Sequence, residues 1–230
     1  MVASERPSAV SQVRRRTTER RRQLIQLSSQ GMLGQGYESC SVNDLAAAAG
    51  LSVGGLYRYI STKSDLLVMA CEDIYDGLHE ALLKAVSAAA GSEDQVRSAF
   101  ALYLSSCADT RDEVMLLYRE YKHLPVEAQS RFKEREAHIA DLFAALIAQG
   151  QASGVFGDLD PAVVAQDMIL LGHLPALKGW AVRSLEAGRL AAEQVDLLLR
   201  ALTAGRSQTS GERVSRLESQ APATEQRSRS

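Results

Sequence analysis

Aromatic residues are scarce, 5% of 230 residues with a single tryptophan. Beside abundant Ala, Leu, Arg, Glu and Gln, that scarcity argues against a sheet-rich fold and predicts an all-α chain. Cysteine occurs only at Cys40, Cys71 and Cys107, an odd number at wide spacing with no partner at metal-ligand or redox distance. A disulfide framework or zinc site is therefore not expected, and the thiols read as reduced and mostly buried. No apolar run approaches the roughly 18–20 residues that cross a bilayer, and the opening MVASERPSAVSQVRRR lacks the apolar stretch of a secretory signal. No membrane association is expected, and the localisation reads as cytoplasmic.

Catalytic signatures are missing as well. His79-Glu80 has no second histidine four residues on, no G-x-S-x-G or Walker loop occurs, and Gly31, Gly34 and Gly36 follow no strand. The expectation is no enzyme, no cofactor and no metal.

What is present is a charge division hidden by the net charge of -2. Residues 1–70 hold nine Lys or Arg against five Asp or Glu (net +4), residues 71–205 twelve against twenty (net -8), and residues 206–230 five against three (net +2). A basic module for a polyanion joined to an acidic body has this signature. The organisation follows: a disordered basic arm at 1–16, a small module at 17–66, a larger helical domain at 67–205 and a disordered Ser-rich tail at 206–230.

Helix starts are written plainly. Ser41/Asp44, Thr62/Asp65 and Thr110/Glu113 place a capping hydroxyl three residues before a carboxylate, Asp160-Pro161 joins an N-cap to a proline at the first helical position, and Pro125 is read in that second role. These signals predict about nine helices, near 17–35, 42–49, 53–59, 63–89, 93–109, 111–123, 126–152, 161–183 and 190–204. Within 126–152 the spacing of Phe132, Ile139, Phe143, Leu146 and Ile147 is helical.

The informative stretch is SVNDLAAAAGLSVGGLYRYISTKSDLL, residues 41–67. A small residue at Ala46 lets a second helix cross closely, and Gly50 four residues on can take the left-handed conformation that ends the first. Ser52 then caps a second short helix through Leu56 and Tyr59. A helix-turn-helix needs this arrangement, and an ordinary helical hairpin shares it.

With Gly36-Tyr37 before it, Leu56-Tyr57 and Tyr59 in it and Lys63 with Leu66-Leu67 after it, the segment resembles the N-terminal signature of TetR-family transcriptional regulators over residues 20–70. The resemblance implies an N-terminal three-helix DNA-binding domain, with phosphate contacts from Tyr57, Tyr59 and Lys63. Ser41 and Ser52 sit at helix starts, where hydroxyls and backbone N–H groups hold phosphate oxygens. Val53, Gly54, Gly55 and Arg58 face the base edges: the glycines permit close backbone approach, Val53 meets a thymine methyl, and Arg58 takes a guanine or a phosphate. Arg14, Arg15, Arg16 and Arg20 supply cations for the minor groove or the phosphates. Ser28, Ser29 and Gly31 stand where relatives carry apolar residues or alanine, which predicts loose packing.

The resemblance also implies a C-terminal domain for dimerisation and a small-molecule pocket. Val164, Met168, Leu171, Val195, Leu198, Leu199 and Leu202, on the last two long apolar helices, are the dimerisation candidates. Tyr118, Arg119, Lys122, His173, Lys178, Trp180 and Arg183 set cations beside apolar surface, which suits an amphipathic anion such as an acyl-CoA or an organic acid. The expected function is a homodimeric repressor on a palindromic double-stranded operator, released by its effector. The alternatives are a helical adaptor without DNA binding, which leaves the arginines and the Ser52–Lys63 segment without a role, and an enzyme in the acidic C-terminal domain, for which no catalytic signature is present.

Overall fold

The computed structural model describes residues 9–204, with side chains from residue 19 onward. The expectations for residues 1–8 and 205–230 lie outside the described residues. Every regular element among the described residues is helical. The N-terminal module comprises α1 (Ala9–Gln35), α2 (Val42–Ala48) and α3 (Val53–Leu56), and α4 (Lys63–Asp73) leads out of it. The body holds α5 (Leu78–Ala88), α6 (Ser92–Asp109), α7 (Arg111–Glu120) with a 3-10 turn over Tyr121–His123, α8 (Val126–Ala152), α9 (Pro161–Leu177), α10 (Gly179–Val182) and α11 (Ala187–Ala204).

Side-chain capping explains several starts. Ser41 with Asp44 and Thr62 with Asp65 form reciprocal boxes, and Asp160 accepts from the N–H groups of Ala162 and Val163 ahead of Pro161. Thr110 behaves otherwise: its hydroxyl donates backwards to the Ser106 carbonyl at 2.9 Å, and Glu113 is buried instead of capping. Pro125 is the N-cap of α8, one position earlier than expected.

Several helices differ from their expected extents, three of them most. The first begins at Ala9 and not near 17, so Arg14, Arg15 and Arg16 lie inside it and do not precede it. Those three arginines are thus clear of the positive helix start, where they would repel the macrodipole. The 63–89 segment is two helices because the chain turns at Gly77, whose φ of 68° belongs to the left-handed region. The 161–183 segment is also two: α9 ends at Leu177, two residues beyond Pro175, and Lys178 breaks the run.

α6 is the central strut and packs on α5, α8, α9 and α11. Its Phe100 and Tyr103 meet Phe143 of α8 edge to face, with ring centroids 6.3 and 5.4 Å apart. α4 packs on α1 and on α7, burying Leu66 and Leu67, so the expected domain boundary between 66 and 67 falls inside a continuous helix. The reading module is thereby seated directly on the body.

Candidate functional site

α2 and α3 form the expected hook. Gly50 has φ 63°, and Ala46, fully buried, lies at the crossing. Ser52 accepts the Gly55 N–H at 3.0 Å to start α3, which closes after one turn at Leu56; Tyr57, Arg58 and Tyr59 continue as a turn and not as helix. A helix this short, with glycine at 54 and 55, has little stability of its own and is held by buried Leu56 and Ile60. Ser52, Gly54, Tyr57, Arg58 and Tyr59 are exposed, and Val53 and Gly55 are partly so. Tyr57 and Tyr59 are 50% and 40% exposed, so neither is a core residue. Arg20 is exposed on α1; the side-chain surroundings of Arg14, Arg15 and Arg16 lie outside the described residues.

Two expected phosphate contacts are already engaged elsewhere. The Ser41 hydroxyl donates to Asp44 Oδ2 at 2.6 Å, and these hydrogen bonds hold the exposed Asp44 carboxyl below the usual carboxylate range. Ser41 is therefore a cap beside an anion, a poor phosphate seat. Lys63 Nζ donates to the carbonyls of Tyr37, Glu38 and Cys40 at 2.6, 3.3 and 3.1 Å and lies 4.5 Å over the Tyr37 ring. Its three donors close the loop between α1 and α2 and do not reach outward.

The body brings together two of the expected ligand residues and separates the rest. His173, buried on α9, is hydrogen-bonded at both ring nitrogens, with the Tyr118 hydroxyl 3.0 Å from Nδ1 and the Tyr103 hydroxyl 3.1 Å from Nε2. The Tyr103 hydroxyl also lies 3.4 Å from the Ile169 carbonyl, which can only accept. Burial lowers His173 to about 4, so the imidazole is neutral. Close by, the Tyr75 hydroxyl donates to Glu136 Oε2 at 3.2 Å, and burial raises the Glu136 carboxyl. Tyr118 is raised by burial first and then by the Glu136 charge.

Arg119 turns the other way, donating to the Leu33 carbonyl of α1 at 3.0 Å. Lys122 and Arg183 are exposed. Trp180 is 72% exposed, with Lys178 Nζ 5.6 Å over its ring; it is neither pocket wall nor core, because α9 ends before it and α10 buries nothing. Sequence reasoning missed Tyr75, Tyr103 and Glu136, which are far apart in the chain and carry no local pattern. Among the described residues there is no cluster of three or more candidate metal ligands, and no helix is long and apolar enough to cross a membrane.

Residues 32–70 match the family described as bacterial regulatory proteins, tetR family, and residues 89–202 match the tetracyclin repressor-like C-terminal domain. The chain belongs to the TetR family. Among its relatives is the HTH-type transcriptional regulator HbdR of Aromatoleum sp. (strain CIB), 23% identical over 163 residues and 71% of either chain. Its fold is shared with PfmR from Thermus thermophilus (TM-score 0.67, 23% identity, 78% of this chain and 98% of that one). It is shared too with AibR, solved in complex with isovaleryl coenzyme A and operator DNA (TM-score 0.66, 22% identity, 78% and 98%). This TetR-family protein is thus a DNA-binding transcription regulator of the helix-turn-helix class.

The regulator also leaves apolar surface uncovered on the two helices expected to dimerise, though on other residues. Met168, Val195, Leu198, Leu199 and Leu202 are buried in the protomer's own core, and Val164 and Leu171 are partly buried against it. Exposed instead are Val163 and Leu170, seven apart on α9, and Leu197 on α11, at 58%, 56% and 65%. Gln194 of α11 donates to the Leu171 carbonyl of α9 at 3.0 Å, which sets these positions on adjacent helices. The helices were legible because they are apolar; the exposed face of α9 was not, because apolar residues run all round that helix.

Proposed function

We propose that the protein is a homodimeric repressor that binds a palindromic operator in the cytoplasm and is released by a small amphipathic effector, an acyl-CoA or an organic acid. The observation that carries this reading is the pairing of one exposed reading turn per chain, Gly54 to Tyr59, with an uncovered apolar face on α9 and α11. Large exposed aliphatic side chains on adjacent helices cost free energy in a monomer, and two-fold pairing removes them from water. Pairing also supplies the second reading turn that a palindrome requires, with half-sites about 34–36 Å apart. AibR, of like fold, is solved with both an acyl-CoA and operator DNA, which supports the effector class.

Effector release needs only that the ligand favour the form that does not fit DNA. α7 is placed to report it, touching the His173 network through Tyr118 and α1 through Arg119. The test is light scattering of the purified chain followed by titration of a mixed duplex pool between about 50 and 200 mM salt. A dimer losing affinity by orders of magnitude is expected if about six or more phosphates are neutralised. A monomer indifferent to every duplex overturns the reading and leaves the adaptor.

A further inference from the structure

The reading module sits on the body through α1, which packs on α4 and on α7. Three polar ties cross the α1–α7 seam. Gln30 donates to Asp112 Oδ2 at 3.3 Å, Ser29 faces the Glu113 carboxyl, and Arg119 donates to the Leu33 carbonyl at 3.0 Å. The middle tie differs from its neighbours. Gln30 and Arg119 are exposed, whereas Ser29 and Glu113 are buried, as is Ser28, whose hydroxyl has no partner among the described residues.

A buried carboxylate needs a cation, and the charges that act on Glu113 are of its own sign, Asp112 on α7 and Asp73 on α4. Arg22 and Arg21 of α1 act on Asp73, the first from 3.9 Å. Arg111, two residues before Glu113, donates instead to the Pro175 carbonyl at 3.0 Å. On the far flank α9 carries the neutral His173 and the exposed Asp167, and α6 ends at the exposed Asp109. Burial raises the Glu113 carboxyl, its own N–H and Ser29 lower it, and Asp112 and Asp73 raise it further. As a neutral acid Glu113 fits a closed seam and shares a hydrogen bond with Ser29. Ionised, it is an unpaired charge among like charges, and admitting water to the seam relieves it.

We propose that Glu113 makes the α1–α7 seam a proton-operated latch: the neutral acid holds the reading module on the body, and its ionisation loosens that seat and weakens DNA binding. The closed seam binds more protons than the open one. It is therefore favoured at low pH and is lost as pH rises through the raised value of the carboxyl. A loosened module must be re-ordered before two copies can read grooves in register, so affinity falls with the fraction still seated. The latch needs DNA binding and is independent of any effector.

The test lets the full-length protein select a tight duplex from a random pool at pH 5.5, then measures affinity for that duplex from pH 5.5 to 8.5 at fixed salt. Parent affinity should fall as pH rises, by up to about tenfold per unit across the transition, and Glu113→Gln should lose most of that fall. Ser29→Ala removes a group that favours the charge and should move the midpoint to higher pH; Asp112→Asn removes a like charge and should move it lower. At pH 8 amide exchange along residues 28–33 should be faster in the parent than in Glu113→Gln, and equal at pH 5.5. Thermal melts confirm that each variant folds. An equal fall in parent and folded Glu113→Gln, or α1 exchange that does not differ at pH 8, overturns the latch while DNA binding stands. Should Glu113→Gln not fold, the absence of both midpoint shifts overturns it. If no duplex is selected, the latch and DNA binding fall together.

Discussion

Replacing Lys63 by methionine separates two roles that sequence reasoning cannot tell apart. Methionine keeps much of the apolar stem and removes the ammonium, stranding the Tyr37, Glu38 and Cys40 carbonyls and ending the contact over the Tyr37 ring. The site is only part-buried, so each charge-assisted bond is taken at about 1 kcal/mol and the ring contact at about 0.5–1 kcal/mol, a loss of about 3.5–4 kcal/mol in all. For a chain of this size that lowers Tm by roughly 5–15 °C. The plot of log affinity against log salt should keep its slope, because no phosphate contact is lost. Arg58→Met, an exposed change, should do the reverse: an unaltered melt and a slope shallower by about 0.9. If Lys63→Met melts like the parent and flattens the slope by about 0.9, the ammonium sits on DNA and the loop-closing role is wrong.

Leu170→Glu and Leu197→Glu should yield folded monomers by light scattering, whereas Met168→Glu, at a fully buried position, should fail to fold; a dimer surviving both surface changes removes α9 and α11 from the interface. His173 takes up a proton near pH 4 when folded and near 6.5 when unfolded, so its contribution to stability is intact above pH 6.5 and is lost as pH falls towards 4, by up to about 3 kcal/mol. Glu113 and Glu136, raised by burial, act in the opposite sense, so the check is urea unfolding from about pH 7 to 4 beside His173→Gln, whose acid decline should be shallower. Ser28 Oγ is buried on α1 with no partner among the described residues, and Ser28→Ala should raise stability by about 1 kcal/mol in urea; a loss would mean that the hydroxyl is satisfied.

The reading hook was legible because its determinants are local. Ser41, Asp44, Gly50 and Ser52 act within three or four residues of themselves, and their caps and turn stand where the spacing put them. Long helices such as α8 were legible from periodicity, with Ile139, Phe143, Leu146 and Ile147 all buried. What misled was partnership across the chain. Lys63 looks like a free cation until the loop 23–26 residues earlier folds over it, and Trp180 looks like a pocket wall until α9 stops short of it. Gly77 is the exception, a local breaker within a helical run whose φ of 68° turns the chain.

Tyr118 and Arg119 are adjacent on one rod yet serve opposite clients, the imidazole in the interior and a backbone oxygen of the DNA-facing module. A small roll of that rod cannot satisfy both without cost, so the two ends trade influence. For the proposed effector, thermodynamic reciprocity then runs backwards too: an operator that steadies Leu33 would alter the effector's affinity by the same factor with which the effector alters the operator's.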